Sequence, residues 1–532
     1  MRESVNRRIK SLETKHKIVK YAGIVIFATI LCRILGLGRE IVISNRFGAG
    51  IETDAFFVAF MIPNLLRVFL GEGALNTAFI PIFTDYLSDN DRKKAEYFSN
   101  NVLNILIIIL IFIIFLGIWA APLLINIIAM GFKSNPYKYQ LTVNLTRLLF
   151  PYIGFVAIAA LFMGILNSFD HFLIPALSPA MLNVSMIVFA FLLNVRFGIY
   201  SLIVGVIIGG MGQFIIQIPV LYKKKLKYQF IINLKDPGLK NFLRLLLPAI
   251  LGLTITQINV VVDRIIASHL IDGSISALYY ANRLVQFPLG AFGIAISTAI
   301  FPTLAKLAAS ENIAELKKTL LFGLKLMLMI TLPSAVGLIV LKDSIIRLIY
   351  EHGAFTKIAS MMTADALLYY SIGLFAFTSV KLITMASYAL KDSKSPVKIG
   401  AYIVVLNIIL DLILVKYLAH SGLALATSIA AILNMLWLIR MMQNKIGRFQ
   451  IQKYMQFIVK IIISSIFLGI ACYSISHYFG NILDVNHKTG QFFQVMASIL
   501  GGSSVYLLSC YLLGIKEILQ IKNMKNILLG KK

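Results

Sequence analysis

The sequence predicts an all-α protein that crosses a membrane about fourteen times. Three observations predict that class. Of 532 residues, 59% are hydrophobic and only 14% charged, with mean hydropathy +0.84; a water-soluble chain of this size would expose very large apolar patches. The apolar residues fall in runs of roughly 20, the length a helix needs to span hydrocarbon. Backbone in lipid must satisfy its own hydrogen bonds, which a helix does within one run.

Residues 1–18 are basic and polar, and no cleavable signal peptide is expected, because the run that follows is long enough to span. Spans are expected near 19–38, 54–85, 102–127, 142–167, 174–195 and 199–221, then, after a basic segment at 222–241, near 242–269, 275–307, 318–343, 360–389, 396–416 and 421–441. Two further runs lie near 455–478 and 491–514, within 442–514, and 515–532 is a basic tail.

The formal net charge is +27, and its placement argues for topology rather than nucleic acid. With a cytoplasmic amino terminus and an even number of spans, both termini share a side. Cytoplasmic segments then hold about 32 Lys and Arg against roughly 9 outside, as the positive-inside rule requires. The richest run is Lys223, Lys224, Lys225 and Lys227. No aromatic-basic recognition motif accompanies the charge. Cys32, Cys472 and Cys510 are odd in number and lie in apolar runs, so they read as small core residues. The seven histidines are scattered, without zinc-ligand spacing. Outer loops are too short for a soluble catalytic domain.

The chain repeats at an offset of about 220 residues. Asn76-Thr77-Ala78-Phe79-Ile80-Pro81 is echoed by Ser297-Thr298-Ala299-Ile300-Phe301-Pro302, and Gly131-Phe132-Lys133 by Gly353-Ala354-Phe355-Thr356-Lys357. Two six-helix lobes follow, 19–221 and 242–441, with two extra C-terminal helices. Because six is even, the lobes share an orientation and a pseudo-twofold axis along the membrane normal is expected, with a path between them. The basic linker 222–241, with Asp236-Pro237-Gly238, would let the lobes rock.

Four arginines sit inside apolar runs: Arg33, Arg39, Arg67 and Arg283. A cation at membrane depth costs at least about 2.5 kcal/mol, so such residues turn toward a wet cavity or a partner, and cations imply an anionic cargo. Arg33 and Arg39 flank Gly36 and Gly38, where a bend is expected to bring together side chains about 120° apart on a straight helix. Glu40 shares a face with Arg33 and could instead neutralise an arginine near the outer interface. Span two begins at the cap Thr53-Asp54 and runs through Pro63 and Arg67 to Gly71-Glu72-Gly73. Arg67 lies about 20 Å below the cap, and Pro63 frees a carbonyl one turn before it. Arg283 stands five residues before Pro288. A guanidinium suits diphosphate because its planar fork bonds bidentately and stays protonated.

A second, acidic set comprises Asp263, Asn407 and Asp411 at i, i+4, and Thr427. Oxygen donors without His or Cys suit a hard cation; alternatively Asp263 pairs with Arg264 and Asp411 lies near an interface beside Lys416. Lys381 carries no assigned role.

At these residues the chain resembles the bacterial lipid II flippases of the MurJ (MviN) family, within the multidrug/oligosaccharidyl-lipid/polysaccharide exporter superfamily. The resemblance rests on Arg33-Ile34-Leu35-Gly36 through Arg39-Glu40, Gly48-Ala49-Gly50, Thr53-Asp54-Ala55-Phe56-Phe57-Val58-Ala59-Phe60, Pro63-Asn64-Leu65-Leu66-Arg67, Gly71-Glu72-Gly73-Ala74, Tyr280-Ala281-Asn282-Arg283-Leu284 and Ser395-Pro396-Val397-Lys398. It implies a fourteen-helix flippase of the bacterial inner membrane, with both termini cytoplasmic, working in cell wall synthesis alongside other cell-wall proteins. Arg33, Arg39, Arg67 and Arg283 would contact the diphosphate and head group of lipid II, and Glu40, Asp54 and Glu72 join them as binding candidates. The last two helices would form a groove for the polyprenyl tail. Asp263, Asn407, Asp411 and Thr427, with the Leu423 carbonyl, would correspond to a sodium site; no other cofactor is implied. Glu40 stands where relatives often carry Asp, and Asn282 where some do.

Rival readings differ in chemistry. A flippase for another polyprenyl-diphosphate-linked oligosaccharide would share the arginines, whereas an exporter of cationic drugs would want an acidic lining. A membrane glycosyltransferase acting on lipid-linked sugars would need a large outer loop with a catalytic acid or an acidic metal motif, and the sequence has neither.

Overall fold

The computed structural model describes residues 2–69, 74–89, 91–449 and 451–515, and no strand forms among them. Nine described helices are long and apolar enough to cross a membrane, and the pair 357–372 and 374–389, bent by 43°, passes the same test together. The chain divides into two compact units, Met1–His269 and Leu270–Lys532.

The first unit contains α1 (Arg2–Phe47), α2 (Ile51–Arg67), α3 (Ala74–Ser88), α4 (Arg92–Ile128), α5 (Pro136–Leu149), α6 (Pro151–Ser168), α7 (Leu173–Leu192), the single turn α8 (Asn194–Phe197), α9 (Tyr200–Ile215), α10 (Ile218–Lys223) and α11 (Pro237–Ala267). Short polar side chains set where several begin. Asp91 caps α4 by accepting from the Lys94 amide, Asn135 caps α5 through the Lys138 amide, and Asp236 caps α11 through the Leu239 amide. Proline follows at the first position of α5 and of α11, where its missing N–H costs nothing. Close helix approach uses glycine: a Cβ on Gly205 or Gly209 of α9 would stand 2.8 Å from Met186 Cα or 2.7 Å from Leu182 Cα on α7, a small-xxx-small contact of the membrane kind.

α11 belongs to this unit because Leu239, Phe242 and Leu246 complete a buried cluster with Phe79 and Phe83 of α3 and Phe98 of α4. The division between units therefore falls one helix beyond the basic segment 222–241. That segment is itself held down. Asn100, Asn101 and Asn104 of α4 donate to the carbonyls of Lys227, Asn233, and Gln229 and Ile231, at 2.9–3.1 Å.

The second unit contains α12 (Ser274–Pro288), α13 (Ala295–Ala309), α14 (Ile313–Val340), α15 (Lys342–Ile349), α16 (Lys357–Ile372), α17 (Leu374–Ala389), α18 (Lys394–Ile446), α19 (Ile451–Ile482) and α20 (Lys488–Leu512). α18 is two spans in one run of helix, broken at Ala419, whose φ of 47° is left-handed. The two arms fold together. A Cβ on Gly422 would lie 2.4 Å from the Leu414 carbonyl, Tyr402 stacks on Trp437 at 5.6 Å, and Asp392 just before the first arm pairs with Lys445 near the end of the second. With α18 counted twice, the described helices are consistent with fourteen crossings. α19 and α20 pack as a pair, and α20 is tied to α14 where the Tyr506 hydroxyl donates to the Met329 carbonyl at 2.6 Å.

The internal repeat is visible in the element boundaries. The end of α3, Ser88, recurs 221 residues later as that of α13, Ala309, and the ends of α2 and α12, Arg67 and Pro288, share that offset. Each is followed by a widened π turn, at Val68–Phe69 and Leu289–Ile294. α2 packs on α5 as α12 packs on α16.

Candidate functional site

α1 is helical without interruption from Arg2 to Phe47, so Gly36 and Gly38 do not break it. They face α7 instead, where a Cβ would make ordinary contacts with Asn183 (3.8 Å) and Ile187 (3.9 Å). Arg33 and Arg39 consequently stay on different faces, because a six-residue step on a regular helix turns about 120°. Their environments diverge. Arg39 is buried, donates from Nη1 to Asn183 Oδ1 at 3.1 Å and pairs with the buried Glu40 carboxylate. Asn183 in turn donates to the Cys32 carbonyl at 3.2 Å, joining α1 and α7. Arg33 is half-buried and makes no hydrogen bond or ion pair with a described residue.

Arg67 ends α2 half-buried, its Nε donating to Asn64 Oδ1 at 3.0 Å, with Pro63 buried in the preceding turn. The π turn beyond it releases the helical register at mid-span, as such bulges often do at working sites. Glu72 lies outside the described residues. Asp54 is turned into the packing between α2 and α5, where Oδ2 accepts from Lys138 Nζ at 2.9 Å. The same ammonium sits 4.1 Å from the centroid of the Phe132 ring. Sequence reading did not find Lys138: its charge is visible near a helix start, but its partner is 84 positions away. Asn183 was hidden in the same way.

In the second unit, Arg283 is half-buried on α12 with its guanidinium carbon 5.9 Å from the Tyr279 ring centroid, within cation–π range. Lys381, at the middle of α17, is exposed. Asn407 and Asp411 are buried on the first arm of α18, and Asn407 Nδ2 donates to Asp411 Oδ2 at 2.7 Å. That bond fixes the amide orientation and leaves Asn407 Oδ1 buried without a hydrogen-bond partner. On the second arm the Thr427 hydroxyl donates to the Leu423 carbonyl at 2.9 Å. These are oxygen donors of the kind a hard cation takes. Asp263 lies on α11 of the first unit, half-buried. No group of three His, Cys, Asp or Glu side chains comes together among the described residues.

Half-buried arginines in the spans of a repeated helical fold define a membrane transporter rather than an enzyme. Solved structures share the fold: a multidrug resistance MATE family transporter, inward-facing, matches with TM-score 0.66 at 16% identity over 81% of this chain and 99% of that one. The match to "Lipid II flippase MurJ, inward closed conformation" has TM-score 0.79 at 32% identity, covering 93% of this chain and 99% of the other. The family model described as lipid II flippase MurJ matches residues 43–493. A probable lipid II flippase MurJ of Buchnera aphidicola subsp. Acyrthosiphon pisum is 38% identical over 84% of this chain and 88% of its own. The lipid II flippase MurJ of Burkholderia cenocepacia is 33% identical over 77% and 81%. The chain belongs to the lipid II flippase MurJ family.

Proposed function

We infer that this protein moves lipid II, the polyprenyl-diphosphate-linked peptidoglycan precursor, across the bacterial inner membrane for cell wall synthesis. The observation that carries the reading is Arg33, a half-buried guanidinium in a span with no hydrogen-bonding or ionic partner among the described residues. A charge so placed is costly unless an anion or water meets it. A diphosphate meets it well, because its oxygens accept the parallel N–H bonds of the guanidinium fork.

In the first unit Arg33 and Arg67 are assigned to the head group; in the second, Arg283 is a separate candidate for anion contact. Arg39, already committed to Glu40 and Asn183, holds α1 against α7 and acts on the cargo through that packing. Lipid II enters from the cytoplasmic leaflet, to which both termini are assigned, its head group meets the arginines, and the protein reopens outward while the tail stays in lipid. An inside-negative potential favours outward movement of an anion by about 2.3 kcal/mol per charge per 100 mV.

Sodium is the coupling ion in this reading, held in the second unit by Asn407 Oδ1, Asp411, Thr427 and the Leu423 carbonyl. It would neutralise buried carboxylate charge and so bias the conformational equilibrium.

The test is movement of fluorescent lipid II in proteoliposomes, compared with an O-antigen-type lipid. Lipid II movement that collapses in Arg33→Ala protein of unchanged stability supports the reading. Unchanged movement removes Arg33 from it, and equal transport of both lipids removes the substrate assignment.

A further inference from the structure

The segment between α10 and α11 has an organisation that transport of a head group does not require. Its alternate carbonyls, of Lys227, Gln229, Ile231 and Asn233, all accept from asparagines on α4. The Asn233 backbone amide also donates to Asn101 Oδ1 at 2.8 Å, and its side chain donates to the Tyr97 hydroxyl at 2.9 Å. Arg92 at the start of α4 donates to the Lys224 carbonyl. The segment is thus a strap, sewn to one helix at both ends and at its middle.

The residues between the sewn ones are large and apolar, and they point away. Tyr228 is 64% exposed, Phe230 74%, Ile232 46% and Leu234 68%. Tyr228 keeps one tie, its hydroxyl donating to Asn104 Oδ1 at 2.9 Å. Four consecutive alternate positions of this kind would be a poor choice for water contact. Lysines 223, 225, 227 and 235 are exposed along the same stretch.

α4 shows what the strap faces. The middle of the strap meets Asn104, and one turn further the outward face of α4 becomes apolar and exposed: Ile108, Ile109, Ile111, Phe112, Phe115 and Leu116. In a spanning helix that face meets acyl chains. The strap therefore lies where lipid begins, with apolar side chains and cations together, the composition of an interfacial anchor.

We propose that residues 222–235 form a membrane-docking strap, whose Tyr228, Phe230, Ile232 and Leu234 enter the head-group boundary of the adjoining leaflet while its lysines bind acidic phospholipid head groups. The asparagine ladder satisfies the backbone on the protein side, so a non-helical segment can lie at the boundary without helix formation. Cationic residues there favour anionic over zwitterionic lipid.

The test uses the full chain with Trp119 and Trp437 replaced by Phe and a single reporter, Phe230→Trp, in bilayers doped with brominated phosphatidylglycerol or brominated phosphatidylcholine. Strong quenching by brominated lipid, with little by aqueous iodide, is expected at position 230, and the reverse for Gln229→Trp. Phosphatidylglycerol should quench more strongly than phosphatidylcholine at equal mole fraction. That preference should fall by up to about fivefold for each lysine removed in Lys223→Gln, Lys227→Gln and Lys235→Gln combinations. Quenching of position 230 by iodide alone overturns the docking. Protection from both quenchers also overturns it, since a protein or peptide then covers the strap. Equal quenching by the two lipids overturns the acidic-lipid assignment. None of these readouts depends on transport.

Discussion

Lys138 Nζ and Asp54 Oδ2 lie 2.9 Å apart with both side chains buried, on α5 and α2, 84 residues apart in sequence. Removing one partner leaves a buried charge without its counter-ion, which costs about 3–5 kcal/mol. Lys138→Met should therefore sharply lower thermal stability in detergent. The double variant Asp54→Asn, Lys138→Met should recover most of the loss, because both charges then leave the interior together.

Arg33 and Arg39 should separate cleanly. Arg39→Ala strips Glu40 and Asn183 of a donor and should destabilise the fold by about 2–4 kcal/mol. Arg33→Ala removes no protein hydrogen bond among the described residues and should leave thermal stability within about 0.5 kcal/mol of the parent, while lipid II movement falls. The pair is checked by measuring melting and transport on the same preparations.

Gly422 sits where the two arms of α18 meet, with Leu414 carbonyl oxygen 2.4 Å from any added Cβ. The neighbour is backbone and cannot swing away, so Gly422→Ala should cost about 1–3 kcal/mol. Melting of the purified variant reports this directly.

At the other end of that hairpin, hydrogen bonds from Lys445 and Ser395 hold the Asp392 carboxyl well below the usual carboxylate range. A depressed folded value means that the contribution is present above the ordinary carboxylate pKa, about 3.9, and is lost as pH falls through the folded value. The pair is close to the surface, so its worth is about 0–1 kcal/mol. Parent and Asp392→Asn should differ slightly in melting at pH 7 and converge under strongly acid conditions.

If Asn407 Oδ1 and Asp411 hold sodium, Asp411→Asn should abolish sodium-dependent thermal stabilisation and any sodium dependence of the inward–outward balance. A variant that still responds to sodium as the parent does removes this set from the site.

Much of the architecture was legible because hydrophobic run length and proline, glycine and cap positions act locally. Runs of about 20 apolar residues marked the long apolar helices, and the repeat of Asn76–Pro81 in Ser297–Pro302 fell on two helices, α3 and α13, whose last residues stand 221 positions apart. The family was legible in the glycine- and arginine-bearing motifs of the first two spans. The glycines expected to bend α1 do not interrupt it: the helix runs through Gly36 and Gly38 and meets α7 there. The basic segment 222–241 read as a loose connector, since sequence cannot show that three asparagines on a helix more than 100 residues earlier would hold it down.

By itself, then, the sequence determined the class of fold and which charged side chains fall inside long apolar runs, since each follows from local composition and period. Only the tertiary structure decided which charges are already spoken for. Arg39 and Asp54 are committed to Glu40, Asn183 and Lys138, and Arg33 has no hydrogen-bonding or ionic partner among the described residues. The reason is physical. Burial and pairing depend on which distant helix supplies the neighbour, and that is a property of packing rather than of any residue's own segment.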